Sequence, residues 1–93
     1  MAKKKPATTA EKAHMNACAE NLCVICSMPC EVHHVRRNGE KRNNFKVIGL
    51  CARHHRTGGH GVAIHAGRRS WEANFGLELD YLKQVNNKIK GLE

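Results

Sequence analysis

The chain has 93 residues, of which 41% are hydrophobic and only 4% aromatic, so it can form one small domain with a thin core. Its apolar runs are only a few residues long, which excludes a helix that crosses a membrane. Residues 36–69 carry a net charge of +8, as much as the whole chain, because the charges of the other residues cancel. This basic stretch favours a polyanionic partner such as nucleic acid, although a basic surface that only aids solubility has the same composition.

The N-terminal part is predicted to be a flexible basic arm, residues 1–8, followed by a single domain, residues 9–93. Thr8 and Glu11 have the spacing of a capping box, with Thr8 as the N-cap and Glu11 at the third helical position. A first helix from about Thr9 to Asn21 is expected, because this segment is rich in Ala, Glu and Lys.

A tight cysteine turn over residues 22–30 precedes two predicted strands, Val32–Val35 and Phe45–Leu50. The strand segments are β-branched and the polar loop between them has turn chemistry at Asn38-Gly39, so a hairpin is predicted.

A short helix is predicted to open near Cys51 and to end at Gly58-Gly59, and residues 59–67 are predicted to be a loop. Ser70 is predicted to cap a second short helix that begins at Trp71, which places the C-terminal helices within residues 70–92. After Gly76 the apolar residues recur at spacings of three and four, as in an amphipathic helix. These residues are Leu79, Leu82, Val85, Ile89 and Leu92.

The chain contains five cysteines, and an odd number argues against a closed disulfide framework. No apolar signal-peptide stretch follows Met1, so we expect the protein in the reducing cytoplasm, where clustered cysteines more often bind metal.

Two chelating pairs, Cys23-x-x-Cys26 and Cys51-x-x-His54, predict a structural Zn²⁺ site. A two-residue gap lets one turn present both side chains of a pair to the same ion, and residues three apart share a face of a helix. The alternative is free cysteines that pack as small apolar residues. Cys30 could compete as a partner of Cys26, and Cys18 is interpreted as a helix residue without a role.

Histidine is frequent, with seven in the chain and six of them between His33 and His65, inside the most basic stretch. The predicted structural zinc site uses only one of these histidines, His54. Metal-dependent cleavage of a phosphodiester needs a cation beside the phosphate and a neutral base that deprotonates water, and histidine can serve both purposes near neutral pH.

Together, Cys23-x-x-Cys26, Val32-His-His-Val35 and Leu50-Cys-x-x-His-His55 resemble the HNH, or ββα-metal, endonuclease motif in its zinc-stapled form. The resemblance covers about residues 22–80 and is closest to the phage recombination-enhancement nucleases called Ref, whose action depends on the RecA recombinase. It implies an α+β fold: a small, treble-clef-like ββα-metal domain, with the zinc ligands and catalytic motif within residues 22–67 and a helix at each end. It also implies DNA as the substrate and the cytoplasm of a bacterial host as the location.

The resemblance implies a role for individual histidines. His34 would be the general base that activates water, while His33, His55 and His60 would bind a catalytic divalent cation such as Mg²⁺ or Mn²⁺. The products would carry 5′-phosphate and 3′-hydroxyl ends. His65 is the alternative to His60, because the segment between His55 and His60 crosses two glycines.

Simple geometry agrees with part of this assignment. Adjacent helical residues diverge by about 100°, so His54 can face the zinc while His55 faces a groove. Neighbouring strand residues point to opposite faces, so His33 and His34 can reach one cation only where the strand ends or bulges. The family's middle asparagine corresponds to Lys46 here; Asn43 or Asn44 could replace it, although a turn pair is the favoured interpretation.

Eight basic residues that flank the motif are predicted to hold DNA phosphates, and Lys3, Lys4 and Lys5 would add a mobile contact. The eight are Arg36, Arg37, Lys41, Arg42, Arg53, Arg56, Arg68 and Arg69.

Three functions therefore compete: a DNA endonuclease, a non-catalytic zinc module that binds nucleic acid, and an accessory recruited to a RecA-type filament. The surplus of histidines favours the endonuclease, because a binding module would need the zinc ligands and the arginines but not His34, His55 and His60.

Overall fold

In the computed structural model of this protein, residues 6–37 and 39–91 are described. The chain forms helix α1 (Thr9–Glu20), strands β1 (Glu31–His34) and β2 (Val47–Leu50), a π-helical turn (Arg53–Thr57), a 3₁₀ turn (Ile64–Ala66) and helices α2 (Arg68–Phe75) and α3 (Glu78–Gly91). The fold is thus a small α+β domain, as predicted. Among the described residues, no helix is both long and apolar enough to cross a membrane.

Helix α1 begins where the sequence predicts. The Thr8 hydroxyl accepts a hydrogen bond from the Glu11 backbone at 3.1 Å, and the Glu11 carboxylate accepts one from the Thr8 N–H at 2.8 Å, which completes the capping box. Cys18, near the end of this helix, is fully buried against β2, so it contributes to the core. The lysines of the predicted arm, Lys3, Lys4 and Lys5, lie outside the described residues.

The two strands form the predicted antiparallel hairpin, with His33 opposite Ile48 and His34 opposite Val47. Strand β1 begins and ends one residue earlier than predicted, and β2 begins two residues later than predicted. The Val35 N–H still donates to the Lys46 carbonyl at 2.8 Å beyond the last ladder pair. Of the predicted turn pair, Asn38 lies outside the described residues and Gly39 has a φ of +79°. The register places the end of β1, with its two histidines, opposite the start of β2, and places Glu31 opposite Leu50, next to the residues that follow β2.

The core lies between β2 and the helices packed on it. Its largest fully buried side chains include Trp71, Ile48 and Leu50, and Leu82, Val85 and Ile89 of α3 are also buried. Leu79 remains 39% exposed, so the predicted apolar face of α3 is narrower than its sequence spacing suggests; Leu92 lies outside the described residues.

Two predicted features of the C-terminal half were wrong. Helix α2 begins at Arg68 rather than Trp71, and Ser70 lies inside it, where its hydroxyl donates to the Gly67 carbonyl at 3.1 Å instead of capping the helix. Residues 59–67 are not all loop, because Ile64–Ala66 form a 3₁₀ turn. The 3₁₀ turn packs against α2 and the π-helical turn, whereas the glycines of this segment indicated only irregular structure.

Candidate metal centres

The cysteine turn is held in shape by its own backbone. Cys23 N–H donates to Met28 O at 2.8 Å, and Ser27 N–H donates to Cys23 O at 2.9 Å, which closes the turn. The Ile25 N–H also donates to Cys23 Sγ at 3.4 Å, a hydrogen bond that favours the thiolate form of this cysteine. Burial raises the pKa of the Cys23 thiol, but hydrogen bonds from the backbones of Cys51, Cys26 and Ile25 outweigh it, so that the pKa is lowered overall.

The turn docks on β2 through a glycine. A Cβ on Gly49 would lie 2.6 Å from Cys30 Sγ and 2.9 Å from the Leu22 carbonyl, so a side chain at this position would push the cysteine turn away. The Gly49 carbonyl accepts a hydrogen bond from Val24 N–H at 3.0 Å. This close approach brings the first chelating pair to the end of β2, directly before Cys51.

The four predicted zinc ligands meet in one cluster. One donor atom from each of Cys23, Cys26, Cys51 and His54 lies within 4.8 Å of all the others, and three of the four residues are buried. Cys26 Sγ is 3.7 Å from Cys51 Sγ, and His54 Nδ1 is 3.2 Å from Cys51 Sγ and 3.8 Å from Cys23 Sγ. Sulfur ligands about 2.3 Å from a tetrahedral zinc ion are about 3.8 Å apart. Three thiols and one imidazole at these distances could hold a metal ion such as zinc.

The other two cysteines lie outside this cluster. Cys30 Sγ donates to the Ala19 carbonyl at 3.3 Å, so the competing pair with Cys26 is not the one that assembles. Burial raises the pKa of the Cys18 thiol to about 12, with a smaller contribution from Cys30. Cys18 therefore behaves as a small apolar residue.

The turn after β2 separates two neighbouring histidines. Gly58 N–H donates to Arg53 O at 2.9 Å, a bond that spans five residues and makes the turn wider than an α-helix. A Cβ on Gly58 would lie 2.5 Å from that carbonyl, so only glycine closes the turn without a shift. His54 is buried in the cluster with the three cysteines, while His55 belongs to a second cluster.

The second cluster consists of three imidazoles, those of His33, His55 and His65, each of which offers a nitrogen within 4.8 Å of the other two. The ring centroids are 5.1 Å apart for His33 and His55, 5.5 Å for His33 and His65, and 4.3 Å for His55 and His65. Burial and the proximity of His55 and His33 lower the pKa of His65, which favours the neutral form that binds metal. This cluster could hold a second metal ion.

The structure places His65, the alternative of the sequence prediction, with His33 and His55. The 3₁₀ turn Ile64–Ala66 carries this side chain to the other two imidazoles. His60 is exposed and not part of the cluster; its ring lies near Gly67, where a Cβ would be 3.8 Å from His60 Nδ1. Of the two candidates for the third ligand, the geometry thus favours His65.

Two of the three clustered imidazoles bond to carboxylates. His55 Nδ1 is 2.8 Å from Glu31 Oε1, and His33 Nε2 is 2.6 Å from Glu78 Oε2. The Arg56 guanidinium contacts Glu31 at 2.6 Å and, with His55, lowers the pKa of Glu31 to about 2. Carboxylates behind metal-binding histidines orient the ring and fix which nitrogen carries the proton.

His34 lies outside both clusters, as strand alternation requires. Its Nε2 is 2.8 Å from Asn44 Oδ1, and Asn44 Nδ2 donates to Glu11 Oε2 at 3.0 Å. Burial lowers the pKa of His34; the hydrogen bond to Asn44 opposes this shift, and the positive charges of Arg42 and Arg36 add to it. The two asparagines have different roles: Asn43 forms the turn before β2 through Phe45 N–H, whereas Asn44 orients His34.

The eight basic residues divide into two groups. Arg37 pairs with Glu72 at 3.0 Å and Arg56 with Glu31 at 2.6 Å, while Arg68 lies 3.8 Å from Glu72 and Arg36 donates to the Glu40 carbonyl at 3.1 Å. The other four of the eight are exposed, and none of them makes an ion pair or a side-chain hydrogen bond to another described residue. These four are Lys41, Arg42, Arg53 and Arg69.

Sequence reasoning missed Glu31, Glu78 and the contact between Glu11 and Asn44. Glu31 had a local signal, because it lies two residues before His33 on one face of β1. Glu78 is 45 residues from His33, and no local pattern indicated the pair.

Comparisons with protein-family models, with curated proteins and with solved structures find no match to this chain.

Proposed function

We propose that this protein is a zinc-stapled endonuclease of the HNH, or ββα-metal, type that hydrolyses phosphodiester bonds in DNA. The observation that supports the proposal is the presence of two distinct clusters: a largely buried set of three cysteines and a histidine, and a set of three imidazoles that includes His33, the neighbour of His34 in β1. The first has the donor set of a structural zinc site, whereas three histidines with room for a further ligand are typical of a catalytic one.

His34 has the properties of a general base. If its Nε2–H donates to Asn44 Oδ1, its Nδ1 is the nitrogen that accepts a proton. Asn44 is itself fixed, because its amide group donates to Glu11. His34 would take the proton of a water molecule, whose oxygen would attack phosphorus while the bond to the 3′ oxygen breaks. The products would carry a 5′-phosphate and a 3′-hydroxyl.

A divalent cation on His33, His55 and His65 would neutralise the charge that develops on the phosphate and the leaving oxygen. The donor set bears on which cation this is. Imidazole suits zinc, copper, iron and nickel, whereas Mg²⁺ prefers oxygen ligands. Three imidazoles therefore favour a transition metal over the Mg²⁺ of the sequence prediction.

DNA would reach this site through the four unpaired cations Lys41, Arg42, Arg53 and Arg69, because phosphate contacts need charges that are not neutralised by carboxylates. We include dependence on a RecA-type filament in the proposal only because the sequence resembles the Ref nucleases, whose action depends on RecA.

The test is a cleavage assay on single- and double-stranded DNA with Mg²⁺, Mn²⁺, Co²⁺, Ni²⁺ or Zn²⁺, with and without a RecA filament. His34→Ala is expected to reduce cleavage by roughly 10²–10⁴-fold, the usual contribution of a general base, with zinc content and DNA binding unchanged. His14→Ala is the matched control, since His14 contacts Phe45 edge to face and belongs to neither cluster.

Equal cleavage by the wild type and His34→Ala would remove His34 from the mechanism. DNA binding without cleavage under every condition would instead favour the non-catalytic zinc module. Cleavage only in the presence of the filament would assign the protein to the recombinase accessories.

A further inference from the structure

Glu78, in the first turn of α3, is a carboxylate in an unusual place. It is only 2% exposed, and its Oε2 lies 2.6 Å from His33 Nε2. Burying a carboxylate is costly unless it is paired and hydrogen-bonded. The function of the contact with His33 therefore needs an explanation.

The surrounding contacts hold this carboxylate in place without satisfying it fully. Glu72 Oε2 accepts a hydrogen bond from the Glu78 backbone N–H at 2.8 Å and another from Arg37 Nη2 at 3.0 Å. Arg37 Nε is 3.8 Å from Glu78 Oε1, beyond hydrogen-bond distance, and neither atom has a hydrogen-bond partner among the described residues. The hydrogen bond to His33 is thus the main polar contact of the Glu78 side chain.

We infer that Glu78 is a positioning residue for the second cation: it holds the His33 ring in place and keeps the proton on Nε2, so that Nδ1 is the nitrogen that binds the ion. This inference rests on the cation site proposed above. Carboxylates that accept the second N–H of a metal-binding histidine fix its orientation and raise its basicity. Arg37, predicted from the sequence to hold a phosphate, acts here as part of the support of Glu78.

The inference explains why α3 is tied to the site although it supplies none of the three histidines. His33 receives its carboxylate from α3 and His55 receives its own from β1, through Glu31. Glu31 also pairs with Arg56 and is partly exposed, whereas the Glu78 side chain is enclosed. Of the two carboxylates, Glu78 has less freedom to move.

The test measures cation binding rather than cleavage. Protein with zinc at the cysteine cluster is titrated with Co²⁺ by calorimetry, and the absorption of thiolate-bound Co²⁺ reports any displacement of that zinc. Glu78→Gln is expected to weaken binding at the second site by about 10-fold and Glu78→Ala by up to about 100-fold. The glutamine variant retains part of the affinity because its amide oxygen can still accept the His33 N–H.

Two further variants separate positioning from general stability. Asp80→Asn removes an exposed carboxylate from the same first turn of α3 that holds Glu78 but contacts no histidine, so Co²⁺ affinity is expected to stay close to that of the wild type. In a His33→Ala background, Glu78→Gln is expected to cause no additional loss, because the two residues act through one contact. Zinc content and a cooperative thermal transition establish that each variant is folded.

Folded Glu78→Gln and Glu78→Ala variants with wild-type Co²⁺ affinity would overturn the inference, as would zinc-loaded wild type that binds no second cation. A second cation that depends on Glu78 in a protein without nuclease activity would support the inference while contradicting the proposed nuclease. Glu78 variants that still cleave DNA and keep wild-type Co²⁺ affinity would support the proposed nuclease while contradicting the role of Glu78.

Discussion

The two clusters of this protein are joined by the consecutive residues His54 and His55. They differ in the kind of donor atom, in burial and in the carboxylates that contact their ligands. The cysteine cluster, formed by Cys23, Cys26, Cys51 and His54, offers three thiols and one imidazole, and three of its four residues are buried. The imidazole cluster has only three nitrogen donors, includes the exposed His65, and bonds to two carboxylates behind its rings. A closed set of four soft ligands stabilises a fold, whereas an open set of three leaves a position for water or substrate. The difference predicts that one ion maintains the structure and the other performs chemistry.

The largest expected effect follows from loss of a zinc ligand. Cys51→Ser should abolish zinc binding and the cooperative thermal transition together, because a domain with so thin a core depends on the metal for its folded state. Zinc analysis and circular dichroism during heating measure both. Cys30→Ala is the control and should keep its zinc, since Cys30 bonds to the Ala19 carbonyl instead. A zinc-free Cys51→Ser variant that melts normally would contradict the structural role.

The imidazole cluster should respond differently to the loss of a ligand. His65→Ala is expected to lose affinity for the second cation by more than the 10–100-fold typical of a lost partner behind a ligand, while it keeps zinc and a cooperative transition. His60→Ala should bind the cation as the wild type does, because His60 is outside the cluster. Calorimetric titration of both variants decides between the two histidines, and the opposite result would return the third ligand to His60.

The charges around the clusters predict a smaller effect on DNA binding. Arg53→Ala or Arg69→Ala should each reduce the slope of log K against log salt by about 0.9, because each removes one unpaired cation from the phosphate surface. Arg56 is paired with Glu31, so Arg56→Ala should change that slope less and instead loosen the support of His55. Fluorescence anisotropy over a salt series measures the slopes. A larger change for Arg56→Ala than for Arg53→Ala or Arg69→Ala would contradict the distinction between paired and unpaired arginines.

The smallest expected effect concerns Glu11, which belongs to neither cluster. Hydrogen bonds from the backbone and side chain of Thr8, and then from Asn44, hold the pKa of Glu11 below its ordinary value of 4.5. A depressed carboxyl pKa stabilises the fold above pH 4.5, and this contribution is lost as the pH falls through the lower, folded-state value. Glu11→Gln should lack this pH dependence. Subtracting its melting temperatures from those of the wild type over a pH series isolates the effect, and a constant difference would contradict it.

Local sequence predicted those parts of the molecule that local interactions determine. The capping box at Thr8 and the spacing of the cysteine pairs each depend on residues only three positions apart, and both were confirmed. The third imidazole ligand depended on the path of residues 59–67, where glycines indicate irregular structure without specifying its direction. Likewise, spacing alone could not show which asparagine orients His34.

The charged residues were the least predictable, because their roles depend on partners far away in the sequence. Arg37 meets Glu72 and Glu78 only when α2 and α3 pack beside the hairpin, so a residue assigned to DNA from its charge supports the protein interior instead. Glu78 shows the opposite error: it contacts a histidine of the second cluster, although nothing near it in sequence indicates that it belongs to the site. A count of basic residues therefore overestimates the surface available to a polyanion.

The π-helical turn has a consequence for how the protein would acquire the two proposed ions. His54 and His55 are consecutive residues on this turn, and each belongs to a different cluster. Zinc on His54 would fix the backbone that carries His55, so a second cation would meet a formed site only after zinc had bound. Under the proposed function, maturation would therefore be ordered: apo-protein given the second cation first should remain inert until zinc follows, and chelation of zinc should release both ions.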